Sequence, residues 1–274
     1  MIEKIEIKAP IEKEINPADV HKKSVIDPVK IYDRQPIAIS GGFVNFPISF
    51  ATYGNISLIK GEEKSRKSFF RSLLLACYIG GNANHHSELF KGHEQEGKYI
   101  IDIDTEQDKY YSWLNAKRVC DMVGTVPENY IYVNLREYTA TEIRQYLAWL
   151  FLESEYRKKL GVVCIDGFVD CVDDFNNQIE CREFTRDLMK YSTVTKSHIT
   201  GVLHLNPGSD KGRGHLGTVL QQKCETVVVI KDEGNGISTA KCQRSRGIKV
   251  QDVAFEIRNW LPYEVEYKNA LDAY

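Results

Sequence analysis

The chain has 274 residues, of which 42% are hydrophobic and 27% are charged, which is the balance of an ordinary globular protein. Its formal net charge of -2 excludes a protein that attracts nucleic acid through its overall field, although a local groove of lysines and arginines would still suffice. The 7 cysteines form no CxxC pair, which favours reduced thiols. Because the sequence has no apolar signal region and no stretch of membrane-spanning length, we expect a cytoplasmic location.

The first 47 residues are charged, contain several prolines and show little hydrophobic periodicity. They predict an N-terminal arm or linker, with a short helix near residues 17–23. Such an arm either packs on a neighbouring subunit or is a partly ordered tail. At the other end, residues 259–274 predict a C-terminal tail.

Residues 48–258 alternate short apolar runs with longer amphipathic stretches. Strands are predicted at residues 56–60, 99–104, 131–134, 162–166 and 199–204. Helices are predicted at residues 69–77, at 107–122, after the capping box at 139–142, and at 179–195. This alternation indicates an α/β core whose mostly parallel sheet carries helices on both faces. Residues 226–231 and 238–242 predict a hairpin, and 253–257 a further strand, so antiparallel strands are expected on the C-terminal side of the sheet.

A phosphate-binding loop is predicted between the first strand and the first helix of this core, where the sequence is GEEKSRKS. Backbone amides at the start of a helix face a bound anion, and the helix dipole favours its negative charge. Lys67 can reach the β- and γ-phosphates of a nucleotide, and the Ser68 hydroxyl can ligate magnesium. The predicted nucleotide-binding residues are Gly61, Glu62, Glu63, Lys64, Ser65, Arg66, Lys67, Ser68 and Phe69.

The loop departs from the usual G-x-x-x-x-G-K-[ST] pattern because Arg66 occupies the second glycine position. If that position requires a positive φ, an arginine there costs roughly 1 kcal/mol or more. A loop held at a helical φ would accept the arginine. The alternative is a charged strand-to-helix turn that binds no ligand.

Two carboxylates at predicted strand ends support a nucleotide site. Asp166 closes the apolar run at residues 162–165, and Glu106 follows the strand at residues 99–104. The carboxyl ends of parallel strands gather at one edge of a sheet, where ligands bind. Asp166 would hold magnesium there, and Glu106 would orient and deprotonate the attacking water. The alternatives are a turn cap near Gly167 and a helix N-terminal charge, respectively.

The order of these motifs resembles that of RecA-type P-loop ATPases, from about residue 54 to 257, and the glycine-poor loop resembles RepA-like ATPases of plasmids, phages and mobilizable elements. The resemblance implies ATP and Mg²⁺ as cofactors, with Glu106 as catalytic base, Lys67 on the phosphates and His204 sensing the γ-phosphate. The alternative for His204 is a histidine that caps its strand. Asp166 and Ser68 are the implied metal ligands.

Basic residues after these motifs are candidates for contacts with DNA or with a second subunit. The resemblance implies that the glycine-rich loop at residues 206–215, with Lys211 and Arg213, contacts DNA, although a solvated flexible loop fits its composition equally well. It also implies that Lys241, Arg244 or Arg246 enters a neighbour's nucleotide site. The alternative is a solvent-facing basic hairpin.

The sequence therefore predicts a DNA-dependent ATPase, of a helicase type, that serves replication or transfer of a mobile element. Its expected partners are single-stranded DNA and further copies of the chain, in a ring such as a hexamer. The alternative is a nucleotide-gated DNA-binding regulator or scaffold with little turnover. A small-molecule phosphotransferase is a third reading, but the sequence shows no evident lid or acceptor site for it.

Overall fold

A computed structural model of the chain describes residues 16–31, 33–42, 47–206 and 212–266. The chain divides into two compact units, Met1–Arg34 and Gln35–Tyr274. Across the described ranges, no helix has the length and apolar character needed to cross a membrane.

The first unit contains one described helix, α1 (Pro17–Ser24). Pro17 at the first helical position has its φ already fixed, and the Asn16 side chain accepts a hydrogen bond from the Ala18 amide at 3.0 Å. The short helix predicted near residues 17–23 is therefore confirmed.

The second unit alternates strands and helices. Its described strands are β1 (Ile37–Gly41), β2 (Ser49–Thr52), β3 (Ile56–Gly61), β4 (Phe90–Gly92), β5 (Tyr99–Asp104), β6 (Tyr130–Asn134), β7 (Leu160–Asp166), β8 (His198–His204), β9 (Thr226–Gly234), β10 (Ile237–Ser245), β11 (Val253–Arg258) and β12 (Leu261–Val265). Its described helices are α2 (Lys67–Ile79), α3 (Lys109–Val123), α4 (Ala140–Leu152), α5 (Gln178–Thr195) and α6 (Gly214–Lys223), with short 3₁₀ turns at Gly81–His85, Glu155–Lys158 and Phe168–Cys171.

A large sheet organises this unit. Its strand order among the described residues is β12-β11-β10-β9-β3-β8-β7-β5-β6. The strands from β9 to β6 in this order pair in parallel, whereas β10, β11 and β12 are antiparallel additions on the other side. The predicted mostly parallel sheet with antiparallel strands at its C-terminal side is confirmed.

Helices cover both faces of the sheet. On one face α2 and α3 pack against side chains such as Ile59 and Val162, and on the other α4, α5 and α6 pack against Leu58 and Val163. Every residue of β3 and of β7 is buried, because successive side chains point to opposite, covered faces. The carboxyl ends of these strands are consequently rigid supports for side chains that follow them.

The structure differs from the predicted arm and tail at their inner boundaries. The charge pattern predicts an arm up to residue 47, yet β1 lies within it and pairs with β2 and β4 in a small three-stranded sheet. Phe90 of β4 packs against Phe70 of α2, with ring centroids 5.8 Å apart. β4 is distant from β1 in the sequence, so that pairing leaves no local signal, whereas β2 follows β1 after a short connection. Similarly, β12 pairs with β11 where a tail was predicted, while residues 267–274 lie outside the described ranges.

Candidate functional site

The parallel strands bring the predicted site residues to one edge of the sheet. Gly61, at the end of β3, pairs with His204 at the end of β8, and Asp104 of β5 pairs with Asp166 of β7. Since all four strands run in the same direction, the segments that follow them lie together at this carboxyl edge of the sheet. The loop at residues 62–66 and the segment around Glu106 are therefore neighbours in space.

Arg66 adopts the backbone conformation that a glycine favours. Its φ is 70° and its ψ is 30°, in the left-handed region, so the sequence departure carries a conformational cost. The guanidinium is tied to the β9–β10 hairpin, because Nη1 donates to Asp232 Oδ1 at 3.1 Å and to Ser238 Oγ at 2.8 Å. These contacts offset part of the cost and link the loop to the hairpin.

Gly61 is the position in the loop where no side chain fits. A Cβ added there would lie 2.5 Å from Ser65 Oγ and 2.6 Å from the Ile230 carbonyl oxygen. The Ser65 hydroxyl in turn donates to the Glu62 carbonyl at 2.8 Å. The start of the loop is thus folded tightly onto its own backbone.

Lys67 holds its ammonium group over this loop. Nζ donates to the Glu62 carbonyl oxygen at 2.6 Å, and the side chain is buried. Burial lowers the pKa of Lys67, while the Asp166 and Glu106 carboxylates partly counter that shift. A phosphate oxygen bound in the loop could therefore replace the Glu62 carbonyl as the acceptor of the Lys67 ammonium.

Ser68 and Asp166 meet across the site. The Ser68 hydroxyl lies 3.4 Å from Asp166 Oδ2, at the weak limit of a hydrogen bond. No group of three or more His, Cys, Asp or Glu side chains that could hold a metal occurs in the part of the chain that the structure describes. This pair nevertheless fits Mg²⁺, which proteins commonly bind through one or two side chains together with phosphate oxygens and water.

Arg71 is a member of the site that the sequence analysis did not single out. It lies on α2 one turn beyond Ser68, is fully buried, and places Nη1 3.1 Å from Asp102 Oδ1 and 3.3 Å from Asp166 Oδ2. The Tyr130 hydroxyl donates to the other oxygen of Asp102 at 2.9 Å. An arginine on an otherwise apolar helix face, opposite an aspartate between isoleucines, was the available signal.

The pKa shifts of this buried group follow from burial and charge pairing. Burial raises the pKa of Asp102 to about 6, although Arg71 and Tyr130 act to lower it. Burial also raises the pKa of Asp166, again against the effect of Arg71. Burial alone would lower the pKa of Arg71, but the two carboxylates outweigh it and raise that pKa well above its ordinary value. The guanidinium therefore remains charged and compensates both aspartates.

Glu106 is oriented by the residues around the end of β5. Asp104 Oδ1 accepts hydrogen bonds from the backbone amides of Glu106 and Gln107, both at 2.9 Å. Glu106 Oε2 lies 3.9 Å from His204 Nε2, and 55% of the glutamate side chain is exposed. The pKa of Glu106 is lowered mainly by the neighbouring His204, against a smaller rise caused by burial. The carboxylate is thus ionised at neutral pH and open to solvent.

These elements enclose a cleft of about 460 Å³ lined by Glu63, Lys64, Glu106, Val169, Asp170, His204 and Arg213. Asp170 was not predicted; its Oδ2 accepts a hydrogen bond from Thr105 Oγ1 at 2.7 Å. The same Thr105 oxygen accepts from the Gly167 amide at 2.7 Å, so it joins the ends of β5 and β7. No spacing in the sequence points to this contact.

The predicted DNA-loop residues divide between described and undescribed parts of the chain. Arg213 lines the cleft, and its guanidinium lies 4.8 Å from the centroid of the Phe175 ring. Its backbone amide donates to the His204 carbonyl at 2.9 Å, which joins it directly to the end of β8. Lys211 lies outside the described residues.

None of the three candidates for a role in trans lines the cleft. Lys241 Nζ is 3.2 Å from Glu233 Oε1 on the β9–β10 hairpin. Arg244 Nη1 donates to the Gln221 carbonyl at 2.8 Å, and Arg246 Nη1 donates to Asn55 Oδ1 at 3.1 Å. Asn55 immediately precedes β3, so these two arginines lie at the opposite edge of the sheet. They cannot reach the cleft of their own chain, and their role in trans stays a prediction.

A scan against protein-family models found no matching family, and a search of curated proteins found no matching relative. The function is therefore inferred from the geometry and chemistry of the site.

Proposed function

We propose that this chain is a magnesium-dependent ATPase of the RecA type. The observation that carries the proposal is the contact of 3.4 Å between Ser68 and Asp166, which joins the phosphate loop to the β7 carboxylate. Lys67 precedes Ser68 at the start of α2, and Glu106 follows β5, whose last residue, Asp104, pairs with Asp166. A metal-binding pair, a phosphate-binding cation and a solvent-facing base are the components that phosphoryl transfer to water requires.

The side chains divide the reaction among them. Amides at the start of α2 hold the phosphates, and Lys67 exchanges the Glu62 carbonyl for a phosphate oxygen. Mg²⁺, when bound by Ser68 and Asp166, supplies charge neutralisation on the β- and γ-phosphates. Glu106 orients a water molecule and accepts its proton, and His204 responds to the γ-phosphate through its contact with Glu106.

The proposal extends to DNA and to assembly. Arg213 lines the cleft and its amide donates to the His204 carbonyl, so single-stranded DNA bound near Arg213 would be coupled to the nucleotide through His204. We propose single-stranded DNA as the stimulating partner, and a ring or filament of identical chains in which Lys241, Arg244 or Arg246 enters a neighbour's cleft. The RecA-type resemblance supports both proposals.

A second candidate function is favoured by one contact. Because Arg66 is bound to Asp232 and Ser238, a nucleotide in the loop would alter the β9–β10 hairpin even without hydrolysis. That arrangement suits a nucleotide-gated regulator with little turnover.

Phosphate release from ATP, measured with and without Mg²⁺ and with and without single-stranded DNA, distinguishes these functions. The ATPase proposal expects magnesium-dependent release that DNA accelerates. Nucleotide binding without release under any of these conditions would favour the regulator. A wild-type chain that binds no nucleotide would contradict both.

A further inference from the structure

The groove between α5 and α6 concentrates positive charge. It has a volume of about 530 Å³ and is lined by Arg182, Thr185, Arg186, Met189, His215, Thr218, Val219, Gln222 and Lys223. Three of these side chains are permanent cations and none is a carboxylate. The chain as a whole carries a net charge of -2, so this surface departs from its average character.

The cations of this groove lack partners in the described part of the chain. Arg182, Arg186 and Lys223 make no side-chain hydrogen bond or ion pair with any described residue. The carboxylate next to Arg186, that of Asp187, is instead paired with Arg144 on α4 at 3.1 Å. Like charges held close together destabilise a compact state. An anion bound in this groove would therefore reduce the electrostatic repulsion among its cations.

The spacing of the cations suits an extended anion more than a compact one. Arg182 and Arg186 are four residues apart on α5, so the rise of 1.5 Å per residue separates them by about 6 Å along the helix. Lys223 lies at the end of α6, on the other wall. Beyond it, Arg246 Nη2 donates to the Lys223 carbonyl at 3.4 Å, which continues the positive strip to the amino edge of the sheet. A single small anion would contact only part of this strip.

The rest of the lining adds neutral donors and apolar surface. The exposed side chains of Thr218 and Gln222 can bind sugar or phosphate oxygens, and Met189 adds exposed apolar surface beside them. His215 Nε2 is buried and has no hydrogen-bond partner among the described residues. Arginine forks bind phosphate oxygens in pairs, and the neutral donors add contacts to sugar oxygens, so the groove fits the backbone of a nucleic-acid strand.

We infer that the α5–α6 groove binds the backbone of single-stranded nucleic acid. The inference rests on the nucleic-acid partner proposed above, although the groove is a surface separate from the nucleotide cleft. It gives the chain a second contact with the strand, made by fixed helices instead of a loop, and it assigns Arg182, Arg186 and Lys223 to phosphates.

The test is the binding of a fluorescently labelled oligothymidylate, followed by anisotropy at several salt concentrations. The groove variant combines Arg182→Gln, Arg186→Gln and Lys223→Gln. The control variant combines Lys158→Gln, Lys159→Gln and Lys190→Gln, which removes the same charge from exposed positions outside the groove. Unfolding midpoints of both variants, compared with that of the wild type, establish that each remains folded.

We expect the groove variant to bind the strand at least about tenfold more weakly, and the control variant to bind as the wild type does. Each lost phosphate contact lowers the slope of log affinity against log salt by roughly 0.7, so the groove variant should lose about 2. Equal binding by the groove and control variants would overturn the inference. So would a groove variant that loses self-assembly but keeps its DNA affinity, or displacement of the strand by polyglutamate at the same charge concentration.

Failure of this inference can be told apart from failure of the ATPase proposal. A wild-type chain that hydrolyses ATP but binds no oligothymidylate would contradict DNA binding by the groove and would support the ATPase proposal. Groove-dependent DNA binding without ATP hydrolysis would do the reverse. Because Lys67 lies outside the groove, Lys67→Ala should bind the strand with wild-type affinity in the absence of nucleotide.

Discussion

At the carboxyl edge of the sheet, charged side chains are compensated by partners at fixed distances, whereas the cations of the α5–α6 groove have no partners among the described residues. Arg71 lies within 3.3 Å of both Asp102 and Asp166, and it is fully buried. Arg182 and Arg186 are exposed on the outer surface of α5. The side chains at the carboxyl edge are thus held in place before a ligand binds, whereas the cations of the groove can pair with a bound anion.

This difference is the one expected between a site that catalyses a reaction and a surface that binds a polyanion. A reaction needs groups held in one geometry before substrate binds, because reorganising them during the reaction raises the barrier. Attachment to a flexible polyanion needs charge and reach but little fixed geometry. The two regions therefore predict different responses to mutation, which are large and specific at the carboxyl edge and graded at the groove.

Substitution of the base should have the largest effect. Glu106→Gln keeps the shape of the side chain but removes its capacity to accept a proton, so ATP hydrolysis should fall about 10²- to 10⁴-fold. Binding of ATP should be retained, since the phosphates are held by the loop. Phosphate release and nucleotide affinity are measured together. The matched control is Glu137→Gln, an exposed glutamate beyond the end of β6 at the same edge, which should keep wild-type turnover. Equal turnover of the two variants would mean that Glu106 is not the base.

Removal of the buried cation should have the next largest effect. Arg71→Met leaves Asp102 and Asp166 buried without their counter-charge, so the free energy of unfolding should fall by about 3–5 kcal/mol. Urea denaturation measures this change. Adding Asp102→Asn to Arg71→Met should recover part of the loss, because one uncompensated charge is then gone. If the single variant were as stable as the wild type, the ion pairs of Arg71 would not organise the site.

The pH dependence of hydrolysis tests the contact between Glu106 and His204. Because the pKa of Glu106 lies below its ordinary value of 4.5, the carboxylate stays ionised above that pKa and activity is lost only as the pH falls through it. His204→Ala removes the main cause of the shift, because alanine has no side-chain donor. The acidic limb of the pH–rate profile should therefore move to higher pH in this variant. An unmoved limb would show that His204 does not act on the base.

The loop at Arg66 should give the smallest effect. Arg66→Gly removes the cost of a left-handed backbone together with the contacts to Asp232 and Ser238, whereas Arg66→Ala removes only the contacts. The glycine variant should therefore be more stable than the alanine variant by about 1 kcal/mol. Since the Arg66–Asp232 pair is partly exposed, its own contribution is at most about 1 kcal/mol. Thermal unfolding measures the difference, and an alanine variant as stable as the glycine variant would contradict the backbone argument.

The sequence predicts the local features of this fold well. Alternating apolar and amphipathic segments give β3, α2, β5, α3, β6, α4, β7 and α5 in order but miss the short β4. The capping box at α4 is present, with the Thr139 amide donating to Glu142 Oε2 at 2.8 Å. Pairings between distant segments are different. The pairing of β1 with β4, in which Ile39 lies opposite Gly92, joins segments that no local pattern relates. The β11–β12 hairpin is local, with Arg258 opposite Leu261, although its second strand falls in the segment predicted as a tail.

The candidate site divides in the same way. Lys67, Ser68, Glu106 and Asp166 follow from their positions at strand and helix ends, and the structure brings them together at one edge. The contact of Arg71 with Asp166 depends on how α2 packs on the sheet. The contact of Thr105 with Asp170 depends on how the turn at Phe168–Cys171 packs there. A position along the chain does not specify that packing, so these residues become visible only in three dimensions.

The most direct test of a nucleotide site at the carboxyl edge is equilibrium binding of ATP, in the presence of Mg²⁺, to the wild type and to Lys67→Ala. Lys67 supplies a charge-assisted contact worth roughly 1.5–3 kcal/mol, so the variant should bind ATP at least about tenfold more weakly. Equal affinities would contradict the account, because the phosphates would then lie somewhere other than the loop that carries Lys67.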